Sequence, residues 1–377
     1  MRNSITGQNS GTGQNSGTGQ SGAPKKLGVV VNPTAGKGRG AKVGDAVVNR
    51  LHESGHEVWN LSGHSADLAL EHARRALDNG LDALVVVGGD GMVHLGIQAV
   101  AGTDTPLGIV PVGTGNDFAT AIGLPVAEPT NAVANLSAAL AAGPAGIKAY
   151  DAIRVCGTGL NPPYNKPYGD PDHGRWVAGA VSAGLDAAVN ARANAMLRPK
   201  GSSRYILAAL RELAVYKSWP YLIDIEHVVH GGDELPRILS FPGMHDLGPE
   251  PDGEGQRLQW HASGALVTAA NSPIIGGGIV VAPKASVTDG YMDLVLAGDI
   301  GKAGAAKMFP EMMSGGKHAN SKDVRIIRCR AVTIKPGEGT VHLPAAYADG
   351  EFLGTLPLHA ELRPGALKVL VAPKTAA

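Results

Sequence analysis

Val85-Val86-Val87-Gly88-Gly89-Asp90-Gly91-Met92-Val93-His94 decides the fold: an apolar β-branched run stops on two glycines, an aspartate and a third glycine, and a helical pattern follows at once. That order predicts a buried strand whose carboxyl end opens onto bare backbone N–H groups and one carboxylate. Open α/β sheets take ligands at that edge, and phosphate binds there because helix N-termini and glycine turns offer unpaired donors. Glycine lets the backbone approach a polyphosphate closely. A carboxylate in the same place suits Mg2+ rather than phosphate, so a metal with a nucleotide is the first expectation.

The same order recurs on either side. Residues 27–31 form an apolar run, followed by Asn32-Pro33-Thr34-Ala35-Gly36-Lys37-Gly38-Arg39-Gly40 and a helical stretch ending near Gly55. A strand at 58–61, a helix at 66–77, a strand at 82–87 and a helix at 92–100 follow. A fourth strand, 107–110, leads into Pro111-Val112-Gly113-Thr114-Gly115-Asn116-Asp117-Phe118-Ala119. Strands alternating with helices predict a doubly wound parallel sheet, with these loops on one edge. Two glycine-rich loops with carboxylates on that edge argue against simple turns. Neither the Walker loop nor the dinucleotide fingerprint is present.

After about Tyr150 the pattern turns strand-rich, with strands expected at 149–155, 176–182, 221–225, 238–241, 265–270, 279–282, 292–297, 324–328 and 331–335. Helices are expected near 186–196 and 203–216, and 161–174 and 230–256 read as long loops. The expected class is α/β with two domains: a nucleotide domain at 25–148, rejoined by 359–377, and a mainly antiparallel domain at 149–358, with the site in the cleft between them. Residues 1–24 repeat Thr-Gly-Gln-Asn-Ser-Gly and have too little apolar surface to offset their ordering entropy, so they read as a disordered tail.

Apolar residues make up 44% of the 377, which suits a globular chain, and the 33 basic and 33 acidic side chains cancel, which argues against a nucleic-acid partner. The two cysteines, Cys156 and Cys329, are far apart and fit a reducing cytoplasm. No apolar run reaches the roughly 18 residues of a membrane span. His52-Glu53-Ser54-Gly55-His56 matches a zinc-protease string. Gly55 is expected to end the helix, however, so the second histidine leaves the metal-binding face. His227 and His230 read as surface residues.

Two later Asp-Gly sequences, Asp289-Gly290-Tyr291 and Asp349-Gly350-Glu351, predict hairpin turns. The second could also set a base beside a metal-binding partner. Together with Asn32-Pro33, Gly88-Gly89-Asp90-Gly91, the run from Gly113 to Ala119 and Gly276-Gly277-Gly278, they give a set that resembles the diacylglycerol kinase catalytic family, which includes bacterial lipid kinases, sphingosine kinases and ceramide kinases.

The resemblance implies ATP and Mg2+ as cofactors and a lipid hydroxyl as acceptor, diacylglycerol or a sphingoid-type lipid. Asn32, Ser62, Gly88, Gly89, Asp90, Gly91, Met92, Val93, His94, Gly113 and Thr114 would surround the nucleotide. Asp349 would be the general base with Glu351 beside it, and Asp90 and Asp117 would organise the catalytic Mg2+. Asp289 would hold a structural cation with backbone oxygens of Ser286 and Tyr291. Met92 and His94 depart from the family's usual threonine and asparagine. A lipid substrate implies a cytoplasmic enzyme working peripherally at a membrane surface, and a homodimer is left open. The stretch 186–217, with Arg192, Arg198, Lys200, Arg204, Arg211 and Lys217, reads either as a lipid-facing surface or as a solvated helix face. An NAD kinase and a non-catalytic lipid-binding module are the alternatives.

Overall fold

The computed structural model describes residues 24–161, 174–196, 202–340 and 345–373. The tail expected at 1–24 lies outside the described residues except for Pro24, as does most of the 161–174 loop. The first half runs β1 (Lys26–Val31), α1 (Ala35–Glu53), β2 (Glu57–Asn60), α2 (Ala66–Asp78), β3 (Ala83–Gly88), α3 (Asp90–Val100), β4 (Leu107–Pro111), α4 (Asp117–Ala121) and α5 (Pro129–Ala141). Its strands are parallel in the order β2-β1-β3-β4, with Val29 opposite Val85 and Val85 opposite Gly108. Side chains alternate between the two faces of a strand. Val29, Val85 and Val87 therefore pack with Val47 and Leu136 of α1 and α5. Val30, Leu84 and Val86 pack with Ala73 and Ile97 of α2 and α3. A sheet covered on both faces needs unbroken apolar strands, which is why the valine run is uninterrupted.

The second half runs β5 (Ile147–Cys156), β6 (Arg175–Val177), β7 (Ala180–Ser182), α6 (Leu185–Ala195), α7 (Ser202–Val215), β8 (Trp219–Val228), α8 (Glu234–Leu239), β9 (Met244–Pro249) and β10 (Gln256–Ala270). It continues through β11 (Ile274–Ile275), β12 (Ile279–Val280), β13 (Met292–Gly298), α9 (Gly301–Met313), β14 (Val324–Cys329), β15 (Ala331–Pro336), β16 (Ala345–Ala348), β17 (Glu351–Thr355) and β18 (Leu358–Leu370). Pairing among these strands is antiparallel, with β10 as the spine joined to β7, β8, β9 and β13. Fully buried Trp260 of β10 stacks on Tyr221 and Phe241, with ring centroids 6.2 and 5.9 Å away. β18 runs antiparallel to β15 and β5, and its Val369 pairs in parallel with Leu107 of β4, so one strand carries both halves.

Three expectations are corrected. Residues 238–241 are not a strand: Glu234–Leu239 is the helix α8. Leu235, Ile238 and Leu239 lie at i, i+3 and i+4, which is helical spacing, and Pro236 falls in the first turn, where its missing N–H costs no helix bond. The loop read at 230–256 thus holds α8 and also β9. The strand expected at 176–182 is two short strands, broken at Ala178-Gly179.

Candidate active site

The carboxyl ends of β1 to β4 meet at one sheet edge. Asn32 donates its backbone N–H to Val87 O at 3.0 Å, and Val31 N–H bonds Ser62 Oγ at 3.0 Å, which ties the first three loops together. Gly113 and Gly89 touch backbone to backbone: a Cβ on Gly113 would lie 2.5 Å from Gly89 Cα. A Cβ on Gly115 would lie 2.6 Å from Asp90 Oδ2. These two glycines are therefore demanded by close approach.

That approach lets Asp90, the first residue of α3, clamp the second loop. Its Oδ2 accepts Asn116 N–H and its Oδ1 accepts Asp117 N–H, both at 2.8 Å. Asn116 is buried with φ of 58°. Its amide closes the loop by accepting from Gly113 N at 3.1 Å and donating to Gly113 O at 3.0 Å. Asn116 was missed in the sequence; an asparagine between glycine and aspartate, a residue type that tolerates the left-handed region, was the available signal. Asp117 in turn accepts the N–H of Gly277 at 2.7 Å, drawing the loop of three glycines between β11 and β12 onto the site.

Asp349 reaches the same place from the opposite side. Asp349 and Gly350 have φ of 48° and 85° and join β16 to β17 as a two-residue hairpin, the geometry such Asp-Gly turns favour. The carboxylate points away from the turn into the β6–β7 break. There Oδ2 accepts Ala178 N–H at 3.0 Å, and Oδ1 accepts Gly179 and Ala180 N–H at 2.9 and 3.2 Å. Asn271 holds the break, donating to Asp151 O and Ala178 O at 2.9 and 2.8 Å.

Asp90, Val93, His94, Asp117, Ala178 and Asp349 line one cleft. Burial raises the Asp90 pKa, and the charge of Asp349 adds to it. Burial pushes Asp117 up to about 6, and the charges of Asp90 and Asp349 add to that. Three carboxylates that repel one another across a cleft fit a divalent cation. Among the described residues, no group of three or more His, Cys, Asp or Glu converges tightly enough to ligate an ion unaided. Mg2+ commonly keeps waters and takes only one or two carboxylates alongside phosphate oxygens, so this donor set suits it.

The other expected residues differ in their surroundings. Asn32 and Ser62 lie on the sheet edge, but the Asn32 amide oxygen accepts from Thr34 N and Oγ1 at 3.1 and 2.8 Å. Gly88 is buried against Met92, Gly91 is exposed, and Thr114 projects into solvent. Glu351 is exposed, and its charge, after burial, raises the Tyr347 pKa. Asp289-Gly290 does not form the expected hairpin, because β12 pairs with β11 while β13 pairs with β10 and β14; one Asp289 oxygen accepts Tyr291 N–H at 3.1 Å and the other pairs with Arg328. Arg328 and Arg330 sit 5.0 and 5.1 Å from the Tyr291 ring centroid. Ser286 Oγ faces Thr288 Oγ1 at 3.3 Å. Arg328 offsets the Asp289 charge in part, while that charge still adds to the burial that holds Asp293 up at about 6.

An apolar chamber adjoins the cleft, lined by Leu185 and Val189 of α6, Leu213 of α7, and Met308, Phe309 and Met312 of α9. Asn190, Tyr205, Ile275 and Gly276 border both spaces.

Comparison with known proteins gives two adjoining family matches: a diacylglycerol kinase catalytic domain over residues 26–143 and a YegS C-terminal NAD kinase beta sandwich-like domain over 179–371. A diacylglycerol kinase of Mycobacterium tuberculosis (strain ATCC 25618 / H37Rv) is 30% identical over 346 residues, covering 92% of this chain and 94% of that protein. One of Bacillus subtilis (strain 168) is 24% identical, covering 88% and 92%. A solved structure from Bacillus anthracis str. Sterne has a TM-score of 0.64 at 18% identity, covering 96% of this chain and 99% of that one, and so shares the fold.

Proposed function

The chain belongs to the diacylglycerol kinase catalytic family, and from that premise we propose that it transfers the γ-phosphoryl group of Mg-ATP to the hydroxyl of diacylglycerol or a similar lipid. The observation that carries this reading is the junction of two unlike spaces. A carboxylate-lined cleft and an apolar chamber share Asn190 and Tyr205 as a common wall. A lipid could set its hydroxyl in the first and an acyl chain in the second.

The α3 N-terminus and the glycine loops would present backbone N–H groups to the phosphates. Bound Mg2+ near Asp90 and Asp117 would neutralise charge on the transferring group. Asp349 Oδ2, which accepts one N–H where Oδ1 accepts two, would take the hydroxyl proton as the lipid oxygen bonds to phosphorus and the bond to ADP breaks. Such a base contributes about 10²–10⁴ in rate.

Access from a bilayer is supported by α7, whose Ile206, Leu210 and Val215 are 40%, 59% and 60% exposed, and by Met313 at the end of α9, 48% exposed. Arg211 and Lys217 flank them in solvent, while Arg198 and Lys200 lie outside the described residues. Exposed apolar side chains beside basic ones suit an anionic membrane surface. No described helix is long and apolar enough to cross a membrane.

The test is transfer of labelled γ-phosphate from Mg-ATP to diacylglycerol, monoacylglycerol, sphingosine or ceramide in mixed micelles, with NAD alongside. Label in diacylglycerol is expected. Label in NAD alone, or in no acceptor, overturns the proposal. Met308→Trp, which fills the chamber, should raise the KM for long-chain lipid several-fold while leaving the KM for ATP unchanged.

A further inference from the structure

His94 stands one helical turn after Asp90, so both side chains face the cleft. The ring is buried, at 6% exposure. Arg175, the first residue of β6, brings its Nε within 3.1 Å and its Nη2 within 2.8 Å of His94 Nε2. Its Nη1 donates to Phe352 O at 3.3 Å. A guanidinium has donors only, so Nε2 must accept, and the ring proton of the neutral imidazole belongs on Nδ1. Nδ1 is buried without a hydrogen-bond partner, and 3.7 Å away stands Asp349 Oδ2.

We propose that Arg175 is a positioning residue for phosphoryl transfer: it locks His94 in the Nδ1–H tautomer, so that an N–H rather than a lone pair faces Oδ2 of Asp349 across 3.7 Å and attracts that oxygen electrostatically into line with the acceptor hydroxyl. This rests on the base role given to Asp349 above. The alternative tautomer would do harm in two ways. A lone pair on Nδ1 would face the lone pairs of Oδ2 and push the carboxylate off line. It would also offer the hydroxyl hydrogen a second acceptor beside the intended one. With Nδ1 protonated, the hydroxyl has one acceptor on that side, and its oxygen stays free to attack. A fixed tautomer is worth much wherever an imidazole orients a reacting group.

The test is a double-mutant cycle between Arg175→Met and His94→Asn. Asparagine carries an amide N–H near the position of Nδ1 and has no tautomer to lock. Arg175→Met alone should lower kcat by roughly 10- to 100-fold, the usual range for losing an orienting partner, with KM for ATP and lipid nearly unchanged. In the His94→Asn background the same substitution should cost less than about threefold, because the two residues act as one unit. Equal losses in both backgrounds would show a merely structural arginine and overturn the inference, as would an unchanged kcat in the parent. A second readout needs no activity. Nitrogen NMR of 15N-histidine-labelled protein, with the His94 signals assigned by their loss in His94→Asn, should report protonated Nδ1 in the parent and a tautomer mixture in Arg175→Met. If Nε2 carries the proton in the parent, the lock is disproved whatever the substrate. If instead Asp349→Asn keeps full turnover while the lock is seen, the base role fails and the tautomer assignment stands.

Discussion

Asp289-Gly290 and Asp349-Gly350 look alike in sequence, yet the fold gives their carboxylates opposite circumstances. At Asp289 the φ is ordinary and the carboxylate faces Arg328, whose guanidinium offsets its charge, although Asp293 still feels that charge. At Asp349 the left-handed φ turns the side chain inward, where it meets backbone N–H groups and two more carboxylates rather than a cation. The lesson is that the same dipeptide sits in a hairpin at one site and in an open connection at the other, and the element it faces sets the chemistry. Neutralised carboxylates are architecture, and carboxylates left charged across a cleft are available for work.

The largest expected effect on this contrast is at Asp349. Asp349→Asn keeps the hairpin and should cut kcat by about 10²–10⁴ with ATP affinity nearly intact, read by phosphate transfer and nucleotide titration. Asp289→Asn should leave kcat within about twofold, and comparable losses from the two would break the contrast.

Next is Asp117, whose pKa stands at about 6 against 3.8 for a free aspartate. A raised folded-state pKa favours the native state below the unfolded value and loses that benefit as pH rises through the folded one. Without ligand, Asp117→Asn should therefore be more stable than the parent by roughly 1–3 kcal/mol near pH 7.5, although less active. The gap should close toward pH 4. Urea unfolding at both values measures it, and a gap independent of pH would mean the charge is already compensated.

The smallest effect belongs to the neutralised side. Arg328→Gln should cost about 0.5–1 kcal/mol, because Arg328 and Asp289 are 44% and 28% exposed. It should also lift Asp293, held at about 6 by burial and lowered by Arg328, still further. Loss of stability on adding a chelator to the parent would show that an ion shares the turn after all.

Much of this was legible because it is local. Valine runs ending in glycine set the parallel strands, and each glycine loop carries its own carboxylate. The Gly55 stop was equally readable: α1 ends at Glu53, Gly55 has φ of 81°, and the histidine pair of the zinc-like string is parted. What escaped reading depends on distant pairing. The three N–H groups that hold Asp349 come from a break about 170 positions earlier, where nothing in Ala178-Gly179 marks it. Arg328, the partner of Asp289, lies 39 positions later on β14, where the register sets it opposite Asp293. The 238–241 error was one of period, since adjacent apolar residues suit either a strand or a helix until their wider spacing is counted.

The strand β18 sets a timetable. β4 finds its outer neighbour only at Val369, about 260 residues later in the chain, or roughly 10–50 s of ribosomal synthesis. Until then the nucleotide sheet is made but unfinished, with an apolar edge open to other strands. The growing chain must be shielded over that interval, and a message cut short before β18 would yield two half-closed sheets, a form suited to proteolysis rather than to partial service.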